Sequence, residues 1–402
     1  MADFGGSDLD TLRKEAREWF EANFPPSLKG GPNPAMREER VEPTPDQDLW
    51  RKRMGEKGWG VPTWPKQYGG GGLTPAEARV VQQEMMRAGA YNPIGGMGVM
   101  MFGPTLLEYG NEEQKQRHIP PIVRGEIAWC QGFSEPGAGS DLASLQTRAE
   151  DKGDHYLVNG QKIWTSGAQY ADWCFCLVRT DTTKKHEGIS FVLFDMKTPG
   201  VEVRPIKLIA GSSPFCETFL TDVKVPKENL VGPLNGGWTI AKRLLQHERS
   251  SLSGAGGGGG MGGGRSLAKM AKDYVGVDEK GRIADTDLRT RVTINDMDMR
   301  AFQQTALRAM LEARSNQGPT AATSIMKNAG TKTLQDRAEL TLEIMGHQGL
   351  GWEGDAFSGE ELAAVRNWLF GKATTIYGGS QEVQNNIISK RILGLPDLTQ
   401  HN

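Results

Sequence analysis

Cysteine is scarce in this chain: Cys130, Cys174, Cys176 and Cys216 are the only four in 402 residues. A chain of this length builds a large core without covalent staples, so a disulfide framework is excluded. Cys174-Phe175-Cys176 alternates as a strand does and puts both sulfurs on one face. Metal sites favour longer spacing, so buried free thiols and no metal centre are expected. Charge of either sign is nearly balanced, with a formal net of −2, which removes any broad attraction to nucleic acid or anionic lipid. An anionic ligand must be held by local donors. No uninterrupted apolar run reaches membrane-spanning length, and Met1 to Asp10 carries acidic residues without an apolar core, unlike a secretory signal or transit peptide. The expectation is a soluble, cytoplasmic protein.

With 37% hydrophobic residues over 402 positions, the chain can bury a sizeable core and divides naturally into two or three domains. Residues 1–124 read as helical. Leu12, Ala16, Trp19 and Phe20 recur at helix spacing, with Ser7-Asp8 as the expected cap. Trp64-Pro65-Lys66-Gln67-Tyr68-Gly69-Gly70-Gly71-Gly72 lacks the lysine and hydroxyl of a P-loop, so it reads as a structural turn. Thr74-Pro75-Ala76-Glu77 after it reads as a helix start. Across 125–234 the apolar period shortens to two. His155 to Trp164 reads as a hairpin around Asn159-Gly160, and Gly188 to Phe194 and Phe215 to Leu220 as further strands. Helical spacing returns over 235–402, as in Ala301 to Leu307 and Val383 to Ile388. No convincing internal repeat is found.

Three motifs carry chemistry. Phe133-Ser134-Glu135-Pro136-Gly137-Ala138-Gly139-Ser140-Asp141 offers main-chain amides at its glycines and hydroxyls at Ser134 and Ser140 as donors, though glycine and proline equally make an ordinary turn. Lys162-Ile163-Trp164-Thr165-Ser166 and Tyr377-Gly378-Gly379-Ser380 complete the set. Together these motifs resemble those of an acyl-CoA dehydrogenase, and the resemblance runs from the first helix to Ile392-Leu393-Gly394-Leu395-Pro396. It implies an α+β multidomain fold: an N-terminal helical domain, a central antiparallel β domain and a C-terminal four-helix bundle.

The same resemblance implies FAD as cofactor. Phe133 and Ser134 would lie along the flavin ring, Trp164 would pack against it, and Ser166 would donate to its polar edge. Gly346, within Gly346-His347-Gln348-Gly349, and Ser380 complete the cofactor set, while Ser140, Arg249 and Tyr377 are assigned to the acyl-CoA substrate. Electrons would pass to an electron-transfer flavoprotein, and the assembly would be a homo- or hetero-tetramer. Where many members carry an arginine closely followed by phenylalanine and glycine for the adenosine end of FAD, this chain reads Tyr274-Val275-Gly276-Val277-Asp278-Glu279-Lys280-Gly281-Arg282. Glu343 likewise occupies a position that is often glutamine.

The sharpest departure is Gly378. Many members place there the glutamate that removes the substrate α-proton. Gly378 keeps the main-chain N–H that such enzymes aim at the thioester oxygen, but it has no carboxylate. In a branch typified by isovaleryl-CoA and long-chain acyl-CoA dehydrogenases, the base lies on the helix opening the last domain, immediately before an arginine. Glu248-Arg249 matches that pattern, making Glu248 the expected base and Gly378 its partner in catalysis. Read from the residues alone, Glu248 is a solvated helix carboxylate. Glu382 is the runner-up base, although a helix start suits it better. His247 reads as a neighbour. The run Gly254 to Gly264, with nine glycines, reads as a flexible linker when taken alone. By resemblance it continues the helix lining the acyl cavity, leaving room for a bulky, branched or steroid-type acyl group. The alternative is a non-catalytic or half-site subunit of a heterotetramer.

Overall fold

The structure, a computed structural model, describes residues 6–31, 33, 41–253, 265–316 and 322–396. It divides into two compact units: Met1–Lys207 with Ser213–Glu248, and Leu208–Ser212 with Arg249–Asn402.

The first unit begins with five helices, α1 (Gly6–Asn23), α2 (Pro45–Lys57), α3 (Pro75–Arg87), α4 (Gly103–Tyr109) and α5 (Glu112–Val123). Because α1 starts at Gly6, Ser7 and Asp8 lie inside its first turn and do not cap it from outside. Thr74 does cap α3 as expected, with Pro75 at the first helical position and a reciprocal bond between Thr74 and Glu77. The glycine-rich turn before it is packed solid. A Cβ on Gly70 would sit 2.4 Å from the Trp64 carbonyl oxygen, and one on Gly71 2.6 Å from that of Pro62. The structural reading of that turn holds. Helices α1 to α3 close over Ala16, Phe20, Trp50, Met54 and Val81.

The β domain is an eight-stranded sheet ordered β6-β7-β3-β2-β4-β5-β8, with β1 pairing β4 in parallel. Its strands are β1 (Trp129–Gly132), β2 (Arg148–Asp151), β3 (His155–Ser166), β4 (Trp173–Arg179), β5 (Ile189–Asp195), β6 (Val201–Ile206), β7 (Phe215–Pro226) and β8 (Leu230–Val231). Alternation along β4 splits the core. Phe175 and Leu177 join Phe102, Ile119 and Ile122 of the helical layer, and Cys174, Cys176 and Val178 join Val158, Val192 and Leu220 on the other face. All four cysteines are free and buried, as the composition predicts.

One expectation fails. Asn159-Gly160 does not turn a hairpin, because β3 runs through it from His155 to Ser166. The chain reverses earlier, at Gly153, whose φ is +94°. Gly160 serves a different need: the residue just before β2 crowds it so closely that a Cβ would lie 2.7 Å from Thr147 Cα. Asn159 is held by Asp222, to whose carboxylate it donates at 3.0 Å and whose N–H it accepts at 2.8 Å.

Helix α6 (Gly237–Ser253) leaves the sheet after Asn235 and buries Ile240, Ala241 and Leu244 in the helix-facing core. Its outer face is fixed by Glu108 of α4, which accepts from Arg243 at 2.8 Å and approaches His247 Nε2 at 3.2 Å. The second unit is helical, with α7 (Leu267–Val275), α8 (Thr286–Asn316), α9 (Ala322–Met345), α10 (Gly359–Gly371) and α11 (Gln381–Ile387). Its core gathers Leu267, Met270, Leu288, Val292, Leu340 and Ile344. Among the described residues no helix is long and apolar enough to cross a membrane.

His118 lies in the wall between helices and sheet, with Trp173 and Trp129 edge-on at 4.8 and 5.1 Å. Burial, reinforced by the nearby Arg117 charge, lowers its pKa to about 4. The unfolded chain therefore binds the proton first, so the contribution of neutral His118 is complete above the unfolded value and is lost as pH falls toward the folded one. Chemical denaturation should show this site costing about 2 kcal/mol of stability between about pH 7.5 and about pH 5. His118→Leu should flatten that slope, and an unchanged slope would refute the assignment.

Candidate active site

Two of the three motifs meet in the first unit. The loop after β1 makes a tight turn in which Glu135 and Ala138 exchange two main-chain bonds of 3.0 Å, so Pro136-Gly137 is the ordinary turn the sequence allows. Beyond it, Gly139, Ser140 and Asp141 are exposed. Cβ atoms on Gly137 or Gly139 would touch nothing within 4 Å. The loop is tied to β3 by the Ile163 N–H, which donates to the Ser134 carbonyl at 2.9 Å. Ser134 thus lies against β3 at the residue before Trp164.

A buried ion pair makes this junction rigid. Lys162 Nζ is 2.8 Å from Glu135 Oε1 and 3.2 Å from the Phe133 carbonyl, with the two side chains 1% and 8% exposed. The Glu135 carboxylate also accepts from the Gln146 and Thr147 N–H groups at 2.6 and 2.8 Å. Burial alone would raise the Glu135 pKa, but the Lys162 charge and these bonds hold it below the ordinary carboxylate range. Both residues lie inside the two motifs, yet neither motif alone gives them a role. The available signal was a lysine at an inward position of an alternating strand.

Trp164 is placed by a bulge. Lys162 pairs with Thr218 and Thr165 with Cys216, so Ile163 and Trp164 together face one residue of β7. The extra residue sends Lys162 inward and Trp164 outward, where strict alternation would put both on one face. Trp164 has φ of +59° and remains 53% exposed, with Phe215 edge-on at 6.0 Å. A bulky side chain held at positive φ costs about 1–3 kcal/mol. The product is a rigid, half-open indole flanked by the Ser134 and Ser166 segments, a platform suited to a flat heteroaromatic ring with polar edges. The residues present therefore fit a flavin.

The remaining residues fall in the helical unit or at its edge. Gly346 has φ of +56° and opens a short 3-10 turn after α9. Glu343, one turn earlier, is ion-paired to Arg291. The Tyr274 hydroxyl donates to Glu361 at 2.7 Å, so this substitute for the usual adenosine-end residues is already engaged within the chain. Tyr377 is exposed. Ser380 caps α11 by accepting the Val383 N–H at 3.4 Å, and the hydrogen bond to Ser380 is the first cause lowering the Glu382 pKa. Glu382 is therefore an exposed helix-start carboxylate. The backbone of Glu248 and Arg249 continues α6 immediately past His247, while their side chains lie outside the described residues, as does the whole of Gly254 to Gly264.

Gly378 has φ of +66° with nothing within 4 Å of a built Cβ. Gly378→Ala should therefore cost about 1–2 kcal/mol through backbone strain alone. Equilibrium unfolding measures this directly, and a neutral result would show that the loop adopts another conformation.

Three family models cover the chain: the acyl-CoA dehydrogenase N-terminal domain over residues 7–126, the middle domain over 130–223 and the C-terminal domain over 235–393. The chain is 34% identical to acyl-CoA dehydrogenase IpdE1 of Mycobacterium tuberculosis, across 97% of this chain and 98% of that one. Among solved structures it is similar to the Tcur3481-Tcur3483 steroid ACAD, with a TM-score of 0.75 and 31% identity over 97% of this chain and 98% of that one. The ChsE4-ChsE5 complex of M. tuberculosis gives a TM-score of 0.73 and 30% identity, covering 99% of this chain and 100% of the matched one.

Proposed function

The chain belongs to the acyl-CoA dehydrogenase family, and on that premise we propose that it performs FAD-dependent α,β-dehydrogenation of an acyl-CoA thioester to the 2-enoyl-CoA. The observation that carries this reading is Trp164, held half-open on a strained bulge beside the Ser134 loop. Bound FAD would supply the acceptor for the hydride leaving the β-carbon. The chain's own residues do the rest. The Glu248 carboxylate takes the α-proton, and the Gly378 N–H donates to the thioester oxygen as negative charge develops there. The α-proton is too weakly acidic to leave without both. Phe133, Ser134, Trp164 and Ser166 would seat the ring, and Gly346 and Ser380 complete the cofactor set. Ser140, Arg249 and Tyr377 serve the CoA thioester.

The acyl group in this reading is bulky, branched or polycyclic, as in a steroid side-chain thioester. Two things support that choice: the nine-glycine run from Gly254 to Gly264, which the family resemblance assigns to the helix beside the acyl group, and the description of one solved relative as a steroid ACAD. Electron-transfer flavoprotein is the proposed acceptor. The second reading, a half-site subunit of a heterotetramer, is favoured by the engagement of Tyr274 with Glu361 and by the two-component names of the solved relatives. Homo- and hetero-tetramer are distinguished by purifying the chain alone and with a co-expressed neighbour. FAD and activity present only in the mixture select the second reading.

Anaerobic bleaching of the flavin tests the chemistry. Glu248→Gln should retain FAD and bind thioester while bleaching about 10²–10⁴-fold more slowly. Bleaching at the unaltered rate would move the base to Glu382 or water. In a panel of CoA thioesters, polycyclic side-chain substrates should bleach the flavin faster than short linear ones. The opposite order would remove the bulky-substrate assignment.

A further inference from the structure

The loop from Phe133 to Thr147 is gripped by two buried cations, each at a different end. At the near end is Lys162, with its bonds to Glu135 and the Phe133 carbonyl. At the far end is Arg179, only 6% exposed. Its guanidinium donates to the Ala143 carbonyl at 2.6 Å and to that of Leu145 at 3.2 Å. It also reaches the Lys184 and Lys185 carbonyls, at 2.9 and 2.8 Å, in the turn between β4 and β5. Among the described residues no carboxylate forms an ion pair with it, so main-chain oxygens alone satisfy its donors. Leaving those oxygens unpaired would cost their full desolvation.

The two loops that Arg179 joins are joined again at the surface, where Lys185 Nζ lies 2.9 Å from Asp141 Oδ2. The short turn at Leu142–Ser144 is closed by the Ser144 hydroxyl, which donates to the Asp141 carbonyl at 2.7 Å. Ser140 and Asp141 are therefore positioned from the Arg179 side, and Ser134 from the Lys162 side. Along the chain the hairpin turn Glu135 to Ala138 and the exposed Gly139 separate Ser134 from Ser140; the Glu135 carboxylate reaches past Ser140 only to the Gln146 and Thr147 N–H groups, leaving Ala143 and Leu145 to Arg179.

Resting on the dehydrogenase reading above, we infer that Lys162 and Arg179 are positioning residues with separate charges. Lys162, through Glu135, sets the face of the loop that meets the flavin ring. Arg179 sets the stretch around Ser140 that meets the CoA carrier. Neither touches the reacting atoms. Each holds backbone that meets one of the two ligands, and loss of that registration costs binding of one ligand and spares the other.

The test uses the full chain, with its neighbour if FAD loading requires one, and the variants Lys162→Arg, Arg179→Lys and Asp141→Asn. Three quantities are read for each: FAD per chain with its absorption spectrum, the dissociation constant of free coenzyme A, and the thermal midpoint by circular dichroism. Lys162→Arg should lose about half or more of its FAD or shift the flavin band, while the loaded fraction binds coenzyme A within about twofold of wild type. Arg179→Lys should keep full FAD and an unshifted band but bind coenzyme A about tenfold more weakly. Asp141→Asn, an exposed change that leaves the core intact, should weaken coenzyme A about threefold without touching FAD.

Parallel loss of both ligands in step with the thermal midpoint, or unchanged coenzyme A affinity in both Arg179→Lys and Asp141→Asn, would overturn the inference alone. A wild-type preparation that takes up neither FAD nor coenzyme A would overturn the dehydrogenase reading and this inference with it.

Discussion

The ion pair between Glu135 and Lys162 is the constraint from which the site follows. Two opposite charges removed from water gain little net stability, since the desolvation of each offsets most of their attraction. What they impose is location, because a buried charge tolerates no arrangement in which its partner is absent. Glu135 belongs to the loop after β1 and Lys162 to the interior of β3, so the pair can close only when the loop lies against the strand. That closure brings the Ser134 carbonyl to the Ile163 N–H. It also requires Lys162 to point inward, and the bulge then turns the next large side chain out. The strained Trp164 is thus the counterpart of a well-satisfied Lys162.

Helix α6 shows the same economy of cause. The Glu108 carboxylate, lowered first by its bond from Arg243, binds α6 to α4 over the turn that ends at His247. The backbone position of Glu248 is the next step of that helix. A proton-removing carboxylate proposed at that position would have its backbone mounted on packed helices and not on a loop. The Gly378 loop, by contrast, has two successive glycines at positive φ, a conformation suited to presenting main-chain N–H groups and ill suited to carrying a large side chain.

Much of this was legible in the sequence, and the boundary between what was and was not is physical. Local signals translated directly. The capping sequence around Thr74, the period-two runs of β4 and β5, and the burial of thiols on one strand face each depend on neighbours within a few residues. The family motifs singled out the Ser134 loop and the Trp164 strand, which the structure brings together. Long-range packing defeated the rest. Asn159-Gly160 has the composition of a turn, but its glycine answers to Thr147 just before β2, a partner that no local pattern reveals. The bulge at Trp164 is similarly hidden, since strict alternation is the only rule available before the β7 register is known. Arg179 drew no attention because its partners are carbonyl oxygens, which every residue carries.

The two grips on the loop from Phe133 to Thr147 differ in one further respect. The Lys162 grip depends on an ionised carboxylate, which is lost once pH falls through the lowered pKa of Glu135. The Arg179 grip uses main-chain oxygens that never titrate. Protonating Glu135 would release the Lys162 contact behind Ser134 and the carboxylate's hold on Gln146 and Thr147, while the Arg179 bonds to Ala143 and Leu145 would persist.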